Sequence, residues 1–175
     1  MTAFHILQQI LLHTPLFVWA LLALCLLMGL LQRRDQQLTR TRLIVPSVVW
    51  SVFGLWGMVS AFGLHALPLA AWALALVATV GALRGRAWPA GARFDSARGL
   101  YHVPGSWRPM AMIMGIFGAK YAVGISLGLM PTLAQQPAFA VGVSALYGTL
   151  SALFVARTVN VLAQGAARVG RLQAA

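Results

Sequence analysis

Five apolar runs alternate with short polar gaps, and that alternation constrains the fold more than any other feature of the chain. The runs cover about residues 15–31, 43–64, 67–83, 110–130 and 138–156. A hydrocarbon core about 30 Å thick needs roughly 20 apolar helical residues, so each run is a candidate span, the first slightly short. Only 9% of residues are charged and 60% are hydrophobic. Soluble domains carry about 25% charged residues, so a water-facing surface could hardly be assembled from this sequence. No hydrophilic segment is long enough to fold alone. The 175 residues therefore read as one all-α unit, a polytopic membrane helix bundle with five transmembrane helices.

The gaps predict the orientation. Gln32–Arg42 carries four arginines, Arg84–Pro109 carries Arg84, Arg86, Arg93, Arg98 and Arg108, and the tail carries three more. The N-terminal segment, "HALP" (His65 to Pro68) and "PTLAQQP" (Pro131 to Pro137) carry no Lys or Arg. Positive residues stay on the inner face, so an odd number of spans with the N-terminus outside and the C-terminus inside accommodates every gap. Residues 1–14 lack a positive n-region and a small-residue cleavage site, so a removed signal peptide is not expected. They are mildly amphipathic, and Thr14-Pro15 reads as an N-cap with proline opening the first span.

Two further features stand out in the polar segments. Within 84–109, "RFDSARGLYHV" has hairpin character, with Phe94 and Tyr101 flanking a turn of Asp95, Ser96 and Gly99. The tail, 157–175, spaces Arg157, Asn160, Gln164, Arg168 and Arg171 at helical intervals and predicts a basic amphipathic helix lying on the membrane surface. The formal net charge of +11 would suggest nucleic acid in a soluble protein. Here the arginines line the spans, so the expected partners are anionic headgroups on the inner face, with a membrane-protein partner or a second copy also open, and no nucleic acid. Arginine and alanine richness fits a GC-rich bacterial genome.

The stretches "HVPGSWRPMAMIMGIFGAKY" (His102 to Tyr121) and "HTPLFVWALLALCLLMGLLQRR" (His13 to Arg34) resemble a family of small, uncharacterised bacterial inner-membrane proteins. In that family a proline-glycine-serine-tryptophan turn leads into a helix bearing a Lys/Arg-Tyr pair. The resemblance implies an inner-membrane location and carries no active site. It directs attention to Gly105, Ser106, Trp107, Lys120 and Tyr121.

Lys120 is the sharpest single feature. It stands about ten residues, or about 15 Å, from either end of its span, too far for its side chain to reach water unaided. A central lysine costs around 2.5–3.5 kcal/mol on insertion scales, so it should face a partner or a cavity. Lys120, Gly124 and Gly128 share one helical strip, and Gly124 with Gly128 forms a G-x-x-x-G pair suited to close helix approach. No carboxylate lies in any span, since the two acids are Asp35 and Asp95. Main-chain carbonyls, the hydroxyls of Tyr121, Ser126, Tyr147 or Ser151, Asn160 if it is buried, a neutral amine and an anionic ligand all stay open as partners. A ligand site would comprise Lys120, Tyr121, Gly124 and Gly128.

Other chemistry is poorly supplied. His5, His13 and His65 fall on the outer side, and His5 and His13 are about 12 Å apart on a straight helix, too far to share an ion. Cys25, Met28 and the methionines at 110, 112 and 114 are ordinary membrane filler. No metal and no cofactor is expected. Paired carboxylates, hydrolytic triads and zinc-helix motifs are absent, so an enzyme is not expected. The composition predicts a non-catalytic inner-membrane component that works through partners or lipids. A small carrier or receptor for an anionic or polar molecule, using Lys120, is the alternative.

Overall fold

The computed structural model describes residues 15–86 and 88–173, without side-chain detail at 17 and 165–173. The chain is mostly helical. Its elements are α1 (Leu16–Leu31), β1 (Gln36–Leu38), α2 (Arg40–Phe62), α3 (Ala66–Leu83), β2 (Arg93–Asp95), β3 (Leu100–Val103), α4 (Arg108–Leu129), a 3₁₀ turn (Pro131–Gln135) and α5 (Pro137–Gln173). Four helices, α2 to α5, are long and apolar enough to cross a membrane. α1 has 16 described residues, about 24 Å of rise against a hydrocarbon core of about 30 Å.

Local signals place the helix ends. Thr39 caps α2 by accepting the Arg42 amide at 3.4 Å. Pro46 falls in the second turn of α2 and does not end it. Gly63 closes α2 in a positive-φ conformation (75°), its amide donating to the Val59 carbonyl at 2.8 Å. The hairpin β2–β3 sets Phe94 opposite Tyr101, with ring centres 4.7 Å apart. Asp95 folds its turn by accepting the amides of Ala97 (3.0 Å) and Arg98 (3.4 Å).

β1 adds an antiparallel strand to the other side of β3, pairing Gln36 with Val103 and Leu38 with Tyr101, so the sheet order is β1-β3-β2. The sheet therefore ties the first polar connection to the third. It marks one end of the bundle, which we call the sheet end.

α5 is the central element. It packs along α3 in the same direction and along α2 in the opposite one. The α3 contact is closest at Gly148, where any Cβ would run into the Trp72 carbonyl. Gly54 of α2 does the same for Ser151, whose hydroxyl occupies the space a Cβ would need. Small residues at these crossings let backbones approach, which is how membrane helices gain packing energy.

The tail differs from the surface helix that its arginine spacing suggests. α5 continues unbroken to Gln173, and Thr158, Asn160 and Val161 are buried. Of the polar residues that gave the segment its amphipathic look, Asn160 is bonded to neighbouring backbone. Asn160 donates to the Leu83 carbonyl (2.9 Å) and accepts the Gly85 amide (3.2 Å), closing the end of α3. The Thr158 hydroxyl reaches the Leu43 carbonyl at 2.9 Å. An N-terminal amphipathic helix, with His5 and His13, lies outside the described residues.

Close packing at Gly148 yields a direct comparison. Gly148→Val should destabilise the protein by about 1–3 kcal/mol in denaturant unfolding in mild detergent. Gly81→Val, where an added Cβ meets nothing within 4 Å, should stay within about 0.5 kcal/mol of wild type.

Candidate functional site

Two constellations gather the residues that the sequence singles out. The first is a clamp at the sheet end. After Pro104 the chain turns onto the end of α1, where the Gly105 amide donates to Asp35 Oδ1 at 2.8 Å. The Ser106 amide donates to the Gln32 carbonyl at 3.2 Å. Gly105 is required by space, because a Cβ there would overlap the Arg33 carbonyl. The Arg33 guanidinium lies over the Trp107 ring, 4.9 Å from its centre. Gly105, Ser106 and Trp107 thus hold α1 to the start of α4. Ser106 Oγ also accepts the Arg108 amide at 3.2 Å.

The second constellation surrounds Lys120. Its amine lies 4.1 Å from the centre of the Phe53 ring on α2 and 5.0 Å from that of Tyr147 on α5. It fits against Gly57 of α2, where a Cβ would occupy the position of Nζ. Lys120 therefore crosses from α4 to the α2–α5 seam. Aromatic faces were not among the partners that the sequence suggested, yet a desolvated ammonium over such faces gains about 2 kcal/mol. Tyr147 was expected as a hydroxyl partner and offers its ring face instead, while Phe53, on another helix and without a polar group, was missed. Gly57 carries a weak signal, a small residue midway along an apolar run.

Beside this cage, α1, α2 and α4 enclose a groove of about 750 Å³. Val18, Leu21 and Leu24 wall one side, Val49, Trp50 and Phe53 a second, and Ile116 to Leu129 the third. Lys120, Tyr121, Gly124 and Gly128 all line it, so the structure brings the four candidate ligand residues to one place. Among the described residues no helix crosses at these glycines. Gly124 and Gly128 are exposed, and an added Cβ at either meets nothing within 4 Å. The crossings form instead at Gly54, Gly57 and Gly148, where a neighbour stands opposite. Phe117 stacks on Tyr121 at 6.0 Å between ring centres.

Arg84, Arg86, Arg93, Arg98 and Arg108 are all exposed at the sheet end. His65 is exposed at the far end, immediately before α3. Among the described residues no three His, Cys, Asp or Glu side chains gather as a metal site.

The family of unknown function DUF6622 matches residues 2–171. The chain belongs to that family. No curated protein and no solved structure matches it. A DUF6622 member with this clamp and this lysine cage therefore has to be read from its own geometry.

The cage makes a coupling experiment decisive. Gly57→Ala should cost about 1–3 kcal/mol of stability, because the added methyl displaces the Lys120 amine. In a Lys120→Ala background the same change should cost less than half as much. Equal penalties in the two backgrounds, measured by denaturant unfolding, would show that the amine does not occupy the Gly57 notch.

Proposed function

We propose that the chain is a bacterial inner-membrane protein of five spans, N-terminus outside and C-terminus inside, acting without catalysis through anionic lipids and membrane partners. The observation that carries this reading is the β1–β3 pairing. It brings together the two connections that hold nine arginines, and all nine are exposed. The end of α3, bonded to Asn160, adds the arginine-bearing part of α5 to the same end. At the far end, the connections 63–65 and 130–136 hold neither Lys nor Arg. One cationic end and one uncharged end fit the positive-inside rule if α1 also spans. The outward residues of α2 and α3, among them Val52, Trp56, Leu74 and Val77, are exposed and apolar, as lipid-facing or partner-facing surfaces are.

A second reading, a receptor for an anionic or polar molecule, is favoured by a different observation: Lys120 lines a lipid-level groove that supplies no carboxylate. In this reading Lys120, Tyr121, Gly124 and Gly128 form the site.

Reporter fusions test the topology. Fusions after Ala66, Ala92, Ala134 and Ala175 should report outside, inside, outside and inside, and an inside signal at Ala134 would overturn five spans. The lipid role has its own test. Replacing Arg93, Arg98 and Arg108 with Gln should lower anionic-lipid retention by on the order of a hundredfold in native mass spectrometry, at roughly 1 kcal/mol per side chain. Unchanged retention would leave these arginines with a topological role alone.

A further inference from the structure

We propose that the groove between α1, α2 and α4 binds a single-chain carboxylic acid, with the acid at Lys120 and its chain running along Gly124 and Gly128. This inference rests on the receptor reading and names its ligand class.

Four observations select that class. The groove wall is almost wholly aliphatic and aromatic, so most of an occupant must be hydrocarbon. Among the described residues that line it, Lys120 alone is charged, matching one negative charge. A phosphate would call for more donors than one amine supplies. Gly124 and Gly128 leave an open strip about 12 Å long on α4, leading from Lys120 away from the sheet end. Polar head and apolar length are thus set in line.

Depth argues the same way. A phosphate stays ionised in hydrocarbon, whereas a carboxylic acid can travel there protonated. At the site its carboxylate and the Lys120 ammonium form a pair with no net charge. That pairing offsets the cost of a mid-span lysine, whose amine lies over the Phe53 and Tyr147 rings. Leu21, Leu24 and Leu129 are exposed along the groove rim, so a chain can enter sideways from the bilayer.

The experiment uses the full-length protein in nanodiscs and palmitic acid carrying a mid-chain diazirine. On irradiation, label should appear on peptides containing Val18 to Leu24 or Ile125 to Leu129, read by mass spectrometry. Unlabelled palmitic acid should compete about tenfold better than its methyl ester, since the ester cannot form a charge-assisted bond. Lys120→Met should erase that preference, Lys120→Arg should keep part of it, and Gly124→Leu should suppress labelling by filling the strip. If Lys120→Met does not fold, the ester comparison in wild type and Gly124→Leu decide the matter. Equal competition by acid and ester overturns both the proposal and the receptor reading. Competition by phosphatidylglycerol equal to that of palmitic acid overturns the carboxylic-acid class and leaves an anion site at Lys120. Cross-links between two copies would overturn the proposal by making the groove an interface.

Discussion

The hydrogen bond from the Gly105 amide to Asp35, with the Gly105 backbone pressed on the Arg33 carbonyl, decides where α1 sits. α1 has little else to hold it. Its buried residues are Cys25 and Gly29, and Gly29 touches Met110 one turn beyond the clamp. Cys25 joins Met112, Ile113, Ile116 and Phe154 in a cluster nearer the middle of the bundle. Val18, Leu21, Leu24 and Met28 of the same helix wall the groove. The clamp therefore fixes the end of the helix that forms this wall. The turn residues Gly105 and Ser106 thus shape the surroundings of Lys120 from more than a dozen residues away.

The rest of the bundle is held by close backbone approach and by hydroxyls. In hydrocarbon there is no water to satisfy a stray polar group, so each hydroxyl in a helix seam needs a partner. Ser47 and Thr158 meet at 2.7 Å, with Ser47 Oγ also 2.9 Å from the Phe154 carbonyl and Thr158 Oγ1 2.9 Å from that of Leu43. Two hydroxyl hydrogens serve three contacts, so the pair alternates between bonding backbone and bonding each other. Farther along, Ser51 Oγ, Trp72 Nε1 and Ser144 Oγ are buried without a hydrogen-bond partner among the described residues. An unsatisfied buried group costs about 1–3 kcal/mol. The Trp72 indole N–H would lie 3.6 Å from a Cβ at Gly54, and the Trp72 carbonyl presses on Gly148. Its orphaned N–H accompanies the approach of α3 to both α2 and α5 that those glycines permit.

What could be read in the sequence was whatever depends on partition between lipid and water. Long apolar runs give helices, and the Asp95, Ser96 and Gly99 turn lies between two short strands. What could not be read depends on which face meets which. Gln36–Leu38 is three residues in an arginine-rich gap, with no alternation to mark a strand, and its partner is over sixty residues away. The G-x-x-x-G spacing of Gly124 and Gly128 describes a smooth helix face but cannot say whether another helix lies on it. Gly54, Gly57 and Gly148 hold the crossings without that motif. Asn160 spaced with arginines looked like a surface residue, because helical periodicity does not distinguish a face turned to headgroups from one turned to a neighbouring helix end.

The same distinction explains the charge balance. Of fifteen charged residues only Asp35 and Asp95 are acidic, and both accept backbone amides within loops. They offset two of the thirteen cations and leave a formal net charge of +11. The exposed arginines at the sheet end can rely on solvent and on the anionic headgroups proposed as their partners, where each near-surface contact is worth roughly 1 kcal/mol. Lys120 has no such access through the length of α4. Inside the chain its amine meets ring faces, whose attraction for a cation is real but omits the three hydrogen bonds that an ammonium can donate. A bundle built only for packing would lose nothing by placing methionine there, since removing a buried charge in favour of an apolar side chain is often neutral or stabilising. A lysine beside an open apolar groove gains most when something carrying acceptors occupies that groove. The fold thus sets its costliest side chain beside an open apolar groove, and the two make best physical sense together.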